Sequence, residues 1–218
     1  MTDKQKRTQM ARIVEVLKSV YPDATCALEY GGQPWRLMVM ARLSAQCTDA
    51  RVNEVCRTLF ERFPTLDSLA DAPLGDIEDI VRPCGLWKTK ASNIKQECII
   101  VRDRFGGRVP DSMDELLSLP GVGRKIANLL LGDIYGKPAV VADTHCIRIC
   151  GRLGMYPESL KDPHKVEKIL SGIIEPSEQS DFCHRIVQFG RDTCSARSPQ
   201  CACCPIRELC AREKSKSS

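Results

Sequence analysis

A run of cysteines near the C-terminus is the strongest chemical signal in the sequence. The residues are Cys194, Cys201, Cys204 and Cys210, and their spacing is C-x6-C-x2-C-x5-C. Four thiolates this close along the chain can converge on one metal centre. Zinc sites usually take two separated pairs of cysteines, so the continuous run favours a [4Fe-4S] cluster but leaves zinc open. Cys203, next to Cys204, leaves the ligand set ambiguous.

A glycine-rich turn, Leu119–Lys125, lies between two helical patterns. Gly121 and Gly123 leave backbone N–H groups open to an anion, and the start of the following helix adds a favourable dipole. The sequence therefore predicts a helix-hairpin-helix module, which binds a DNA phosphate without reading the bases. The predicted helices run over about Ser112–Ser118 and from near Gly123. Because no strand precedes the turn, a phosphate-binding loop of the Walker or Rossmann type is excluded.

Two residues could carry out catalysis, one at the end of this turn and one further along the chain. Lys125 supplies an amine and Asp143 a carboxylate, which suit nucleophilic attack and acid–base assistance. Alone, Lys125 is read as a phosphate clamp and Asp143 as the N-cap of a helix. His145 is either a third polar group or an ordinary residue of the first helical turn.

Helical periodicity dominates the chain, so the predicted fold is all-α with about ten helices. Apolar faces are predicted over Ile13–Val20, Ile126–Ile134 and Val166–Ile173, and Asp162-Pro163 opens the last of these helices. Aromatic residues make up only 5% of the chain, which argues against a β-sandwich. The net charge of +4 is weak evidence for a nucleic-acid partner.

The cysteine content indicates the compartment. The chain has 13 cysteines, a polar and basic N-terminus, and no stretch near the ~20 apolar residues of a membrane span. We therefore expect a reducing location, the cytoplasm or nucleoid, with no membrane partner. Eight cysteines are expected to be small buried core residues. They are Cys26, Cys47, Cys56, Cys84, Cys98, Cys146, Cys150 and Cys183.

Several motifs occur together and in order. They are LSAQCTD (Leu43–Asp49), GLWKTKASNI (Gly85–Ile94), LPGVGRKIAN (Leu119–Asn128), VADTH (Val141–His145) and the cysteine run. On these residues the chain resembles the endonuclease III family, which belongs to the helix-hairpin-helix DNA glycosylases and carries an iron–sulfur cluster. The resemblance covers essentially the whole chain.

The resemblance implies an architecture and an activity. It implies two helical domains with a DNA-binding cleft between them: residues 26–137 with the hairpin, and residues 1–25 plus 138–218 with the cluster. It implies a monomeric DNA N-glycosylase that removes oxidised pyrimidines from double-stranded DNA and cuts the strand at abasic sites by β-elimination. Lys125 would attack the sugar C1′ and form a Schiff base, Asp143 would assist, and the [4Fe-4S] cluster would be structural.

The resemblance also implies contacts with DNA. Two side chains, Gln46 and Leu86, would fill the space left by a flipped-out nucleotide. The full set of DNA-binding residues implied is Gln46, Leu86, Gly121, Gly123, Arg124, His145 and Arg197.

Some features depart from the family pattern, and other classes of protein remain to be weighed. Ile126 replaces a threonine, Cys47 an alanine and Leu117 a glutamate, which bears on substrate range and pH optimum. An adenine-specific mismatch glycosylase would lack Lys125 and usually carry a further C-terminal domain. A DNA-binding module without catalysis is a second alternative. An electron-transfer protein is disfavoured by the cysteine spacing.

Overall fold

A computed structural model describes residues 1–214, and every regular element in that range is a helix. The predicted all-α class is confirmed. The α-helices are α1 Asp3–Val20, α2 Pro34–Leu43, α3 Asp49–Arg62, α4 Leu66–Asp71, α5 Leu74–Val81, α6 Trp87–Phe105, α7 Met113–Leu117, α8 Arg124–Tyr135, α9 Thr144–Arg152, α10 Pro163–Ser171, α11 Gln179–Asp192 and α12 Ala211–Lys214. Short 3-10 turns occur at Arg82–Cys84, Pro176–Glu178, Cys201–Cys203 and Arg207–Leu209.

The helices outnumber the predicted ten because several are very short. α4 has six residues and α12 has four, too few to show a helical repeat in the sequence. Within residues 1–214 we find no helix that combines the length and the apolar character required to cross a bilayer.

Helix starts follow the local sequence. The Asp162 side chain accepts a hydrogen bond from the Lys165 backbone N–H at 2.9 Å, and Pro163 is the first residue of α10, as predicted. At α1, Thr2 and Gln5 form a reciprocal capping box. These side chains satisfy backbone N–H groups that have no partner inside their own helices.

The chain divides into two compact units. One comprises Met1–Thr25 with Gly136–Ser218, and the other comprises Cys26–Tyr135. The boundary expected after residue 137 falls two residues beyond this division. The first unit contains the cysteine run, and the second contains the glycine-rich turn.

In the discontinuous unit, α11 packs against α9 and α1. Its core is centred on Met10, Leu17, Phe182 and Phe189, all fully buried or nearly so. Val20, predicted on the apolar face of α1, is instead 45% exposed because it is the last residue of that helix.

In the continuous unit, the long helix α6 packs against α2, α4 and α5, and α2 also packs against α8. Seven of the ten residues of α2 are buried, including the consecutive Leu37, Met38, Val39 and Met40. A helix that is buried on all sides forms the centre of its unit. The turns at its two ends are therefore fixed relative to a packed core.

Glu97 is an exception in this core. Its side chain is fully buried in α6, and within residues 1–214 neither carboxyl oxygen has a hydrogen-bond partner. Burial raises the pKa of Glu97 well above its usual value, and the positive charge of Arg42 offsets part of that effect. The folded protein therefore favours the neutral, protonated carboxyl group.

We expect Glu97→Gln to stabilise the protein at alkaline pH. Because the pKa of Glu97 is higher in the folded than in the unfolded chain, its contribution is fully present below the unfolded pKa and is lost as the pH rises through the folded pKa. The amide does not ionise, so the free energy of unfolding at pH 8 should rise by about 1–3 kcal/mol and change little near about pH 4. Urea unfolding across this pH range is the measurement, with the exposed Glu61→Gln as the control. An unchanged pH dependence in Glu97→Gln would contradict the assignment.

Candidate active site and cysteine pocket

The glycine-rich turn lies between α7 and α8, as predicted. Gly121 has a left-handed backbone with φ of 78°, and its carbonyl accepts a hydrogen bond from Arg42 Nη1 at 2.8 Å. A Cβ atom at Gly121 would lie 2.5 Å from Arg42 Cζ and 2.6 Å from Asn93 Nδ2. The backbone conformation therefore favours glycine at Gly121, and a Cβ atom there would also displace the ends of the Arg42 and Asn93 side chains. Gly123 has ordinary backbone angles and open space around it.

Lys125 is the second residue of α8, directly after this turn, and its side chain is exposed. The carbonyl of Gly123 accepts the first helical hydrogen bond, from Ala127 N–H at 3.0 Å. The backbone N–H groups before Ala127 therefore stand at the positive end of the α8 dipole. The structure thus places an amine and an anion-binding helix end on the same short segment.

Asp143 is the N-cap of α9, in agreement with one of its two sequence interpretations. Its Oδ1 accepts a hydrogen bond from Cys146 N–H at 2.7 Å, and the side chain is half-buried. His145, in the first turn of α9, has its Nδ1 3.2 Å from Arg148 Nη2. Asp143 belongs to the discontinuous unit and Lys125 to the continuous one.

Two arginines of α9 hold the start of the cysteine run, and sequence analysis did not single them out. Arg148 Nη2 donates to the Cys194 carbonyl at 2.9 Å. Arg152 donates to the carbonyls of Ser195 and Ala196 at 2.7 and 2.8 Å, and to Cys194 Sγ at 3.3 Å. Only their spacing of four residues on one helix was visible in the sequence, and that spacing is also typical of a solvated face.

The four cysteines of the run line one pocket. Cys194, Cys201, Cys204 and Cys210 are all half-buried, whereas the adjacent Cys203 is exposed. The Cys203 thiol lies 3.6 Å from the Gln200 carbonyl oxygen and is not part of the pocket wall. The rest of the wall is mostly apolar and basic, with residues such as Ile149, Phe189, Ile206 and Arg152, and includes one acidic residue, Glu213. No three His, Cys, Asp or Glu side chains within residues 1–214 are grouped to share one ion.

The remaining cysteines are mostly core residues. Six of the eight are buried, which confirms that part of the expectation, and Cys26 and Cys47 are half-buried. Arg197 is exposed in the loop between the first two cysteines of the run.

Gln46 and Leu86 share an unusual backbone conformation. They are the two residues other than glycine with positive φ in residues 1–214, at 57° and 48°. Both side chains are exposed, and Leu86 is 64% exposed despite being apolar. A left-handed conformation is strained for residues with a Cβ atom, and such strain concentrates at functional sites.

Comparison with known proteins gives matches over nearly the whole chain. A profile of HhH-GPD superfamily base excision DNA repair proteins matches residues 39–176. The endonuclease III of Synechocystis sp. is 40% identical over 206 residues, which are 94% of this chain and 93% of that protein.

Two solved structures are also similar. Each has a TM-score of 0.89 and 39% sequence identity, and each match covers 100% of this chain. The first is a non-covalent endonuclease III–DNA complex, of whose protein chain 99% is covered. The second is a trapped endonuclease III–DNA covalent intermediate, an estranged-adenine complex, of whose protein chain 100% is covered.

The two glycines of the turn should differ in their response to substitution. Gly121→Ala forces a left-handed alanine against Arg42 and Asn93, whereas Gly123→Ala adds a methyl group to open space. We expect Gly121→Ala to lower the free energy of unfolding by at least about 1–2 kcal/mol and Gly123→Ala to change it much less. Denaturant unfolding of the two variants side by side is the measurement. Equal losses would show that Gly121 is not conformationally required.

Proposed function

Since this chain belongs to the endonuclease III family of the HhH-GPD superfamily, we propose that it is a base excision repair DNA glycosylase with abasic-site lyase activity. Its substrate is double-stranded DNA that contains oxidised pyrimidines or abasic sites, and it acts in the cytoplasm or nucleoid. The observation that carries the proposal is the position of Lys125, an exposed amine one residue into a helix that begins at a glycine turn. That arrangement brings a nucleophile to a bound phosphate backbone.

Lys125 acts as the nucleophile. Its Nζ forms a bond with the sugar C1′ of the flipped-out nucleotide, the glycosidic C1′–N bond breaks, and the base leaves with a proton. Loss of the amine proton and opening of the sugar ring give a Schiff base between Nζ and C1′. A C2′ proton is then removed and the C3′–O bond breaks, which cuts the strand on the 3′ side. Because Lys125 is exposed in the protein, DNA must supply the desolvation of the amine.

Asp143 supplies the carboxylate. We assign to it deprotonation of the Lys125 amine and stabilisation of positive charge that develops on the sugar. Its cap on Cys146 N–H holds the carboxylate in one orientation, because Oδ1 is fixed by a 2.7 Å hydrogen bond. His145 follows two residues later, and its contact with Arg148 supports a role in holding DNA at the start of α9.

The remaining DNA contacts that we propose are those that the family resemblance implies, and local features of the structure support several of them. Gly121, Gly123 and Arg124 are assigned to hold a phosphate at the turn, since the turn combines open space around Gly123 with a helix N-terminus. Gln46 and Leu86 enter the duplex beside the flipped nucleotide; exposed and strained side chains are suited to this. A further phosphate contact is assigned to Arg197.

The cysteine pocket is the proposed site of a [4Fe-4S] cluster. Cys194, Cys201, Cys204 and Cys210 would each bind a different iron, which suits thiols arranged around the wall of a pocket. The apolar residues of the wall and the hydrogen bond from Arg152 to Cys194 Sγ also suit a thiolate cluster, whose charge must be stabilised in a partly buried site. The cluster, when bound, joins the four thiolates and orders the loop that carries Arg197.

Borohydride trapping tests the nucleophile. We expect the protein, incubated with a duplex that contains thymine glycol and then reduced, to become covalently attached to DNA, and Lys125→Ala to form no adduct. Exposed Lys168→Ala on α10 is the control and should trap as well as the unchanged protein. Full adduct formation by Lys125→Ala would refute the assignment.

Asp143→Asn separates the catalytic role of the carboxylate charge from the capping role of the side chain, and it is tested by base release from the same duplex. Asparagine is as good an N-cap as aspartate, so the melting temperature should be unchanged, while single-turnover base release falls at least about 100-fold. An Asp143→Asn variant that retains full activity would show that the residue is only a cap.

Two neighbouring cysteines test the cluster. Cys204→Ser should abolish the brown colour, the broad visible absorbance and the bound iron and sulfide, because it removes a thiolate from the pocket wall. Cys203→Ser should retain all of them, because the Cys203 thiol is exposed outside the pocket. Metal analysis of both purified variants is the measurement. A zinc-loaded, colourless parent protein, or equal losses in the two variants, would contradict the proposal.

A further inference from the structure

Lys90 is a buried cation whose hydrogen bonds join two turns. It lies in the first turn of α6, and its side chain is only 2% exposed. Its Nζ donates to the carbonyl oxygens of Leu43 at 2.9 Å, Ala45 at 2.7 Å and Cys84 at 2.7 Å. An ammonium group has three N–H donors, and these contacts use all of them.

The three acceptors explain why a lysine is stable at this position. Leu43 is the last residue of α2, and Cys84 is the last residue of the 3-10 turn Arg82–Cys84, so their carbonyls lie at the negative ends of helical segments. Such terminal carbonyls have no partner within their helices and must find one elsewhere. Burial lowers the pKa of Lys90, but the hydrogen bonds that its ammonium group donates to three carbonyls favour the charged form.

The two joined turns lead directly to the two strained residues. Ala45 is followed by Gln46, and Cys84 is followed after one glycine by Leu86. Burial raises the pKa of the Cys84 thiol to about 11, and the nearby Cys47 adds to that effect, so the same two segments also approach each other through these side chains. The left-handed residues of the two turns, Gln46 and Leu86, are 40 positions apart in sequence, yet one ammonium group contacts both turns.

We infer that Lys90 is a positioning residue for DNA distortion, which holds the Gln46 turn and the Leu86 turn together so that both side chains enter the duplex as one preformed unit. This inference rests on the proposed function. Insertion between stacked bases requires side chains whose backbone does not move away from the DNA. Two independently mobile turns would each lose conformational entropy on binding, which would weaken binding. Because Lys90 holds both turns on α6, the turns are already ordered in the folded protein, and this entropy is not lost when DNA binds.

The test compares two lysines of the same helix. Lys90→Met keeps an unbranched apolar side chain that reaches the Cε position and removes the ammonium group. Lys95→Met is the matched control, because Lys95 also donates to two backbone carbonyls from α6, those of Ala70 and Ala72 at the end of α4. Both holoproteins are assayed under single-turnover conditions on an abasic site in a fully paired duplex and on the same site within an unpaired bubble.

The paired and unpaired substrates separate positioning from general damage. We expect Lys90→Met to cut the paired duplex at least about 30-fold more slowly than the parent and the bubble within about 3-fold of it, because the bubble needs no unstacking. Lys95→Met should match the parent on both substrates. Equal losses of Lys90→Met on both substrates, or no loss on the paired duplex, would overturn the inference. Failure of the parent to cut the paired duplex would instead overturn the proposed function.

A coupling measurement tests whether Lys90 acts through the two turns. Adding Lys90→Met to a Gln46→Ala, Leu86→Ala double variant should cause no further loss on paired DNA, because the side chains that it positions are already absent. An independent, additive loss would contradict the inference. If Lys90→Met does not fold, Lys90→Gln replaces it, since its amide keeps two N–H donors. That variant should give a smaller loss confined to the paired substrate, and a loss shared by both substrates would again overturn the inference.

Discussion

Long cationic side chains that donate to backbone carbonyls hold the irregular segments of this protein. An α-helix satisfies its own backbone, but the turns between helices do not, and their carbonyls need donors from elsewhere. Arg42 supplies one to Gly121, Lys90 supplies three to two turns, and Arg152 supplies two to the loop at the start of the cysteine run. The glycine turn, the two turns before Gln46 and Leu86 and the start of the cysteine run are therefore each attached to a neighbouring helix by a donating side chain. Removal of such a side chain leaves several carbonyls without partners at once.

Within the discontinuous unit, helix α9 connects Asp143, the proposed catalytic carboxylate, to the cysteine pocket. Asp143 caps its first turn, and Arg152 at its last residue holds the Ser195–Ala196 backbone and Cys194 Sγ. Nine residues of helix span about 13 Å, so the proposed carboxylate and the pocket are related by one rigid element. A structural cluster is consistent with this arrangement, because a change in the loop would be transmitted through α9 to the orientation of Asp143.

Much of the fold was predictable because its signals are local. Asp162-Pro163 and Asp143 are polar caps before apolar helical repeats, and both start helices as expected. The glycine turn was visible because two glycines stand between helical patterns. Short helices such as α4 escaped because six residues give fewer than two turns of periodicity. The structure was also needed to show that Cys204, and not Cys203, lines the pocket. The two cysteines are adjacent, so the spacing of the run differs by only one residue between them.

The cationic side chains that hold the turns were not predictable from the sequence, and neither was the left-handed backbone at Gln46 and Leu86. Lys90 and Arg152 look like ordinary surface residues in sequence, since most lysines and arginines are exposed, and their acceptors are backbone atoms that leave no trace in residue type. Glu97 likewise gives no sign of its burial among apolar residues of α6.

At Gln46 and Leu86, the left-handed backbone brings the stability of the fold into conflict with the proposed DNA-binding function. Glycine adopts such a conformation freely, so at these two positions the residue that best suits the fold is one without a side chain. Replacement by glycine would relieve strain, and random sequence change that is filtered for robustness alone would drift toward it. Under the proposed function, these side chains are the ones that enter the duplex. A catalogue of stabilising substitutions in this protein would therefore include, at Gln46 and Leu86, changes that remove the side chains proposed to distort DNA.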